Sequence, residues 1–297
     1  MVVIRIFPRK TALTPEDTLS FYPEGRKPKT GWMPPIPVEY FNGDTSIHIS
    51  VTFTHDLPQA ERIAQSLTGI CQGTSVTLGG PATGVRGEAF TPGLYLKEGC
   101  TITSRGCPNK CWFCSVWRRE GGIRELPIKE GWNILDDNLL ACSESHIRAV
   151  FDMLSLQSER PVFTGGLEAS LIKPWHIEEL VRIRTQRMYF AYDTVDDLEP
   201  LSVLAKPLKD SGLMSGHKIG VYCLIGFPGD TIPEASVRLL DVYKLGYTPY
   251  AMLWQDETGV SDKEWRGFQR VWARPICIYR KAWPKKNRVS FSKTRAK

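Results

Sequence analysis

From Tyr95 to Gln255 short apolar runs alternate six times with stretches of helical period, and this alternation predicts strands and helices in turn. The predicted strands are Cys100–Ser104, Trp132–Leu135, Pro161–Thr164, Met188–Tyr192, Ile219–Ile225 and Pro249–Trp254. Between them, Ser143 precedes Ile147, Val150, Phe151 and Leu154 at the spacing of one buried helical face. Pro174 opens a second helix with Ile177, Leu180 and Val181 inward, and Leu198, Leu201, Leu204 and Leu208 line a third that stops near Gly212. Thr231-x-x-Glu234 forms a capping box for a fourth, ending at Gly246. The first connection, Ser115 to Gly131, is short and contains glycine, so its helix has no clear position. Six such units predict an α/β protein with a parallel sheet, arranged as a partial (βα)6, TIM-like barrel.

Upstream, Ile47, Ile49, Val51 and Phe53 alternate as a strand, Asp56 stands as a helix cap before Pro58, and Ala60, Ala64 and Leu67 share a face. Ser75 to Leu78 and the turn Gly79 to Gly84 complete a small βαβ-like appendage. Residues 1–45 contain seven prolines and no sustained period, which predicts an extended arm. The expected divisions are thus 1–45, 46–94, 95–260 and a basic C-terminal extension, 261–297.

Composition narrows the picture. At 297 residues and 42% hydrophobic content the chain buries a large core. The net charge of +6 is local: Ala273–Lys297 holds nine Lys or Arg and no acid, leaving the rest at −3. No apolar run is long enough for a membrane span and the N-terminus lacks the layout of a secretory signal, so the expected location is cytoplasmic, with no membrane partner. Eight cysteines in such a compartment point to metal binding or burial rather than disulfides.

Ligands of parallel sheets gather at the carboxyl ends of the strands. Five polar or Gly-rich segments follow strand ends here: the cysteine loop, Asp136-Asp137-Asn138, Gly165-Gly166-Leu167-Glu168, Asp193-Thr194, and Gly226 to Thr231. In the loop, Cys107, Cys111 and Cys114 place three thiols at C-x3-C-x2-C spacing. Three thiolates with no obvious fourth ligand suit a four-iron cluster with one open iron, whereas structural zinc takes four ligands. A zinc site completed by Cys100 or His146 is the alternative.

CPNKCWFC resembles the C-x3-C-x-aromatic-C loop of the radical S-adenosylmethionine superfamily, with Phe113 at the aromatic position. The resemblance covers residues 95–260. It implies a [4Fe–4S] cluster on Cys107, Cys111 and Cys114, with S-adenosylmethionine chelating the open iron. Reductive cleavage of the sulfonium would then give a 5′-deoxyadenosyl radical that abstracts hydrogen from a substrate. An electron donor such as flavodoxin or ferredoxin is implied as partner. The family's GGE-like acceptor of the cofactor ammonium matches Gly165, Gly166 and Glu168 by motif, with Leu167 interposed, and Asp136, Asp137 and Asn138 by strand count. Tyr192 or Asp193 would meet the ribose, and Gly226 with Met252 the adenine. Residues 46–84 also resemble the last βαβ of a cobalamin-binding domain, but there is no D-x-H-x-x-G motif, and cobalamin is not expected.

Plainer roles exist for the same residues. Asp136, Asp137 and Asp193 would serve as helix caps, and GGLE and GFPGD as ordinary turns. The tail, Arg274 to Lys297, interleaves basic residues with Tyr279, Trp283 and Phe291, the makeup of a nucleic-acid surface and equally of a solvated end. A non-enzymatic, zinc-stabilised nucleic-acid-binding protein is therefore the competing class. A tail that contacts phosphates predicts that truncation after Trp272 abolishes low-salt RNA and DNA binding in a filter or anisotropy assay; unchanged binding removes nucleic acid as a tail ligand.

Overall fold

The structure, a computed structural model, describes residues 2–22, 45–70, 73–87, 89–215, 218–256, 258–259 and 262–273. The basic tail and Cys277 lie outside them. The chain divides into two units, Met1–Tyr189 with Asp256–Gly259, and Phe190–Gln255 with Val260–Lys297.

The first unit begins with a four-stranded parallel sheet of β1 (Val2–Arg9), β2 (Leu19–Tyr22), β3 (Thr45–Ser50) and β4 (Ser75–Gly79), in the order β2-β1-β3-β4. β3, α1 (Leu57–Ile70) and β4 form the expected βαβ unit, with Ile47, Ile49, Val51, Ala60, Ile63 and Leu67 packed in one core. The Pro-rich arm, however, starts as a strand. β1 pairs with β3 in register Ile4↔Ile47 and Ile6↔Ile49, so Ile4 and Ile6 enter the same core. Two further expectations differ in detail. Phe53 is 39% exposed rather than inward, and the buried Asp56 carboxylate receives both a 3.0 Å bond from Arg9 Nε and a 3.1 Å bond from its Nη2.

Next come β5 (Cys100–Thr101), β6 (Ser104–Arg105), α2 (Val116–Arg119), β7 (Arg124–Glu125), β8 (Asn133–Ile134), α3 (Glu144–Ser155), β9 (Val162–Phe163) and α4 (Pro174–Arg182). β5, β8 and β9 pair in parallel where expected, through Thr101↔Ile134 and Ile134↔Phe163, but each is only two residues long. The expected strand Cys100–Ser104 breaks at Ile102–Thr103. Its last residue belongs to β6, which pairs antiparallel with β7 through Ser104↔Glu125. α3 is capped as predicted, Ser143 Oγ accepting from His146 N, and buries Ile147, Val150, Phe151 and Leu154. On α4, Leu180 is buried, but Val181 is 42% exposed.

β10 (Arg187–Tyr192) starts in the first unit, where it continues the order β5-β8-β9-β10. It ends in the second, which holds α5 (Leu198–Asp210), β11 (Ile219–Ile225), α6 (Ile232–Lys244) and β12 (Thr248–Leu253) in the strand order β10-β11-β12. β11 and β12 pair in parallel over six residue pairs, enough to bury Val221, Cys223 and Ile225 completely. α7 (Lys263–Trp272) was not foreseen within the extension; Asp262 caps it and it buries Phe268 and Trp272. Both units are thus α/β with parallel strands, and no helix among the described residues is long and apolar enough to cross a membrane.

Candidate cluster-binding loop and its acidic strand ends

The cysteine loop is a closed excursion between β6 and β7. Gly106 opens it at φ 88, and a Cβ there would collide with the backbone of Gly121 and Gly122, so only glycine lets the two ends of the loop meet. Cys107 N then donates to Gly121 O at 3.2 Å across the base. Inside the loop, Cys114 N donates to Cys111 O at 3.1 Å and Trp117 Nε1 to the same oxygen at 3.0 Å, which fixes the turn carrying the second and third thiols. All three cysteines are reduced and half-buried. Burial pushes the Cys114 thiol up, and the nearby Cys107 and Asp137 act in the same direction.

The base of the loop is held by charge. Glu120, 3% exposed, accepts from Arg119 Nε at 2.9 Å, Arg124 Nη2 at 3.3 Å and Gly87 N at 3.2 Å, with Arg105 Nη1 3.8 Å away. Arg119 also approaches Asp137 at 4.0 Å. Arg105, Arg119 and Arg124 thus surround Glu120, and Arg119 also faces Asp137.

The two segments offered for the cofactor ammonium behave differently. Asp136 is 1% exposed; its Oδ1 accepts from Thr103 N at 2.6 Å and its Oδ2 from Thr103 Oγ1 at 2.6 Å and Ser104 Oγ at 2.7 Å. Burial raises its pKa while these bonds lower it. Asp137 Oδ2 accepts from Gly106 N at 2.8 Å. These two carboxylates therefore hold the strand end and the loop entry rather than cap a helix.

Asn138 points the other way. Its Nδ2 lies 2.6 Å from Glu168 Oε2 and 3.5 Å from Cys107 Sγ. Glu168 also accepts from Asn109 Nδ2 of the loop at 2.9 Å and from Ser170 Oγ at 2.8 Å. The two candidate segments thus converge on the cysteine loop. Leu167, interposed in the motif, is 4% exposed and its N–H pairs with Tyr189 O, so it anchors the segment while Glu168 stays half-exposed. Gly165 lies so close to the backbone of Leu135 and Asp136 that a Cβ would collide with it, and Gly166 has φ 89. The role of Asn109 was missed; its place between two of the cysteines was the available signal. Phe113 is half-buried with its ring edge-on to Trp112.

The donor set fits a [4Fe–4S] cluster. Three soft thiols share one loop, and the buried Asn138 Oδ1 has no hydrogen-bond partner. Among the described residues no group of three His, Cys, Asp or Glu side chains is arranged to hold a metal ion. Cys100 is buried with its sulfur 3.8 Å from Asn133 Nδ2, and His146 faces Thr103 and Glu125.

The remaining candidates belong to the second unit. Tyr192 is 4% exposed and Met252 46%. Gly226 has φ 70, and its N–H is held by Asp230 Oδ2 at 2.7 Å. Asp193 does not cap the helical turn after β10: Thr194 does, with Asp197. Asp193 Oδ1 instead accepts from Leu224 N at 3.1 Å, and burial pushes its carboxyl up to about 6. Cys223 is fully buried and its thiol is pushed far up by burial.

Glu120→Gln leaves three guanidinium groups without their buried counter-charge and should cost roughly 3–5 kcal/mol, read by urea denaturation; a loss below 1 kcal/mol would make the ion cluster incidental. For Asp193, the folded value near 6 exceeds the ordinary carboxylate value, so the folded state holds the proton more tightly. Stability contributed by this group is complete below pH ~4 and lost as pH rises through ~6. Asp193→Asn should therefore be the more stable protein at pH 8 by about 1–3 kcal/mol, with the difference vanishing at pH 4. Compared with known proteins, the chain matches no family model and no curated protein.

Proposed function

We propose that the chain is a radical S-adenosylmethionine enzyme whose [4Fe–4S] cluster is held by Cys107, Cys111 and Cys114. The observation that supports this most directly is the junction at Asn138, which bonds at once to a sulfur of the thiol trio and to the half-exposed Glu168 carboxylate. When bound, such a cluster supplies single electrons that split the sulfonium of S-adenosylmethionine into methionine and a 5′-deoxyadenosyl radical. The reading carries with it a partial barrel and a low-potential electron donor of the flavodoxin or ferredoxin class.

The chain's own residues have distinct tasks in this reading. Glu168 receives the cofactor's ammonium: three of its roughly four acceptor positions are filled by Asn109, Asn138 and Ser170, and the group remains accessible. Asp136 is excluded from that task because three donors and burial enclose it. Asp137 and Glu120 keep the loop closed at its base. In the second unit Asp193 keeps one carboxylate oxygen on Leu224 N, and Tyr192 is 4% exposed.

Anaerobic reconstitution with iron and sulfide should give about four irons per chain with a cubane absorbance and EPR signal, and 5′-deoxyadenosine on addition of reductant and S-adenosylmethionine. Cys107→Ala, Cys111→Ala and Cys114→Ala should each abolish both, and Glu168→Gln should weaken S-adenosylmethionine binding about 10–100-fold with the cluster intact. One zinc per chain with no four-iron signal would replace this reading with the zinc-stabilised binder.

A further inference from the structure

The amide of Asn138 is in an unusual position for a buried side chain. It is 5% exposed, both neighbours of its nitrogen are acceptors, and its own acceptor, Oδ1, is sealed without a partner. Rotating the amide by half a turn would set a carbonyl oxygen against the Glu168 carboxylate and the Cys107 sulfur, so the two contacts themselves dictate which end is nitrogen. A residue present only to fill space or to satisfy its own hydrogen bonds would not leave an oxygen orphaned in the interior.

We propose that Asn138 is a positioning residue that sets the electron affinity of the metal centre by donating to the Cys107 sulfur, and ties that sulfur to the carboxylate of Glu168 through the same NH2 group. This rests on the assignment of Cys107 as a cluster ligand. Hydrogen bonds to ligand sulfur withdraw electron density and raise the reduction potential of an iron–sulfur centre, and partners outside the ligand shell contribute to metal retention. Two acceptors share one nitrogen, so a stronger claim by one weakens the bond to the other. Neutralising Glu168 with a bound ammonium strengthens the bond to sulfur and makes reduction easier. By linkage, reduction in turn favours the ammonium. The carboxylate that recognises the cofactor and the thiolate that holds the metal therefore report to each other across a single side chain.

The test compares the reconstituted protein with Asn138→Ala and Asn138→Asp by spectroelectrochemistry and by the rate of iron release to a chelator, neither of which depends on turnover. Asn138→Ala should lower the potential and release iron roughly 10–100-fold faster. Asn138→Asp has the same size and shape but no N–H, and it adds a negative charge beside Glu168 and the sulfur, so it should lower the potential further. A space-filling role predicts instead that Asn138→Ala leaves the potential unchanged and that Asn138→Asp shifts it only by the charge it adds. Glu168→Gln, which leaves Asn138 in place, should raise the potential, and this shift should shrink in the Asn138→Ala background. A potential in Asn138→Ala that matches the unsubstituted protein overturns the inference alone. Failure of the unsubstituted protein to form a four-iron centre overturns both the inference and the functional reading.

Discussion

The first unit is organised by where strand β5 stops. A parallel ladder would continue through Thr103, but the Asp136 carboxylate takes the Thr103 N–H and both neighbouring hydroxyls. A buried carboxylate that has lost its water needs several donors, and here the end of a strand supplies them. The backbone freed by that substitution turns into β6, and the next carboxylate, Asp137, takes the N–H of Gly106 where the cysteine loop begins. Two adjacent acids on one strand end thus terminate a ladder and aim a loop.

The same device recurs in the second unit, within its own strands. Asp193 Oδ1 takes the N–H of Leu224, and Asp230 Oδ2 takes the N–H of Gly226 while also pairing with Arg238 at 2.8 Å. In each case a short acid in the segment after a strand satisfies a backbone donor near the carboxyl end of β11. The consequence is a set of strand ends with defined geometry although β5, β8 and β9 are only two residues long. Rigid strand ends matter for any chemistry placed on the loops that follow them, because a loop inherits the precision of its anchors.

Charge completes the loop. Glu120 draws Arg105, Arg119 and Arg124 into one cluster at the base of the cysteine loop. The sulfur side is then linked to Glu168 by amides rather than by charges, through Asn109 and Asn138. Neutral bridges keep the carboxylate available for a cation, where a lysine or arginine in the same place would have filled it.

Much of this architecture was legible in the amino-acid sequence by itself. Periodicity located the six strands and α3 to α6 of the alternating region to within a few residues, and Ser143 and Thr231 announced their caps, because those signals are local and act over one or two turns. The spacing of Cys107, Cys111 and Cys114 likewise identified the loop. Other features needed the tertiary structure. Strand β1 hid in a Pro-rich segment because Ile4 and Ile6 gain their burial only against Ile47 and Ile49, more than forty residues away. Asp136, Asp137 and Asn138 are three consecutive polar residues whose order says nothing of their tasks; direction along a strand end sent two to the backbone and one to the sulfur and Glu168. Local propensity is written in neighbours along the chain, whereas the partner of a buried polar group is chosen by which distant segments the packing brings within hydrogen-bond reach.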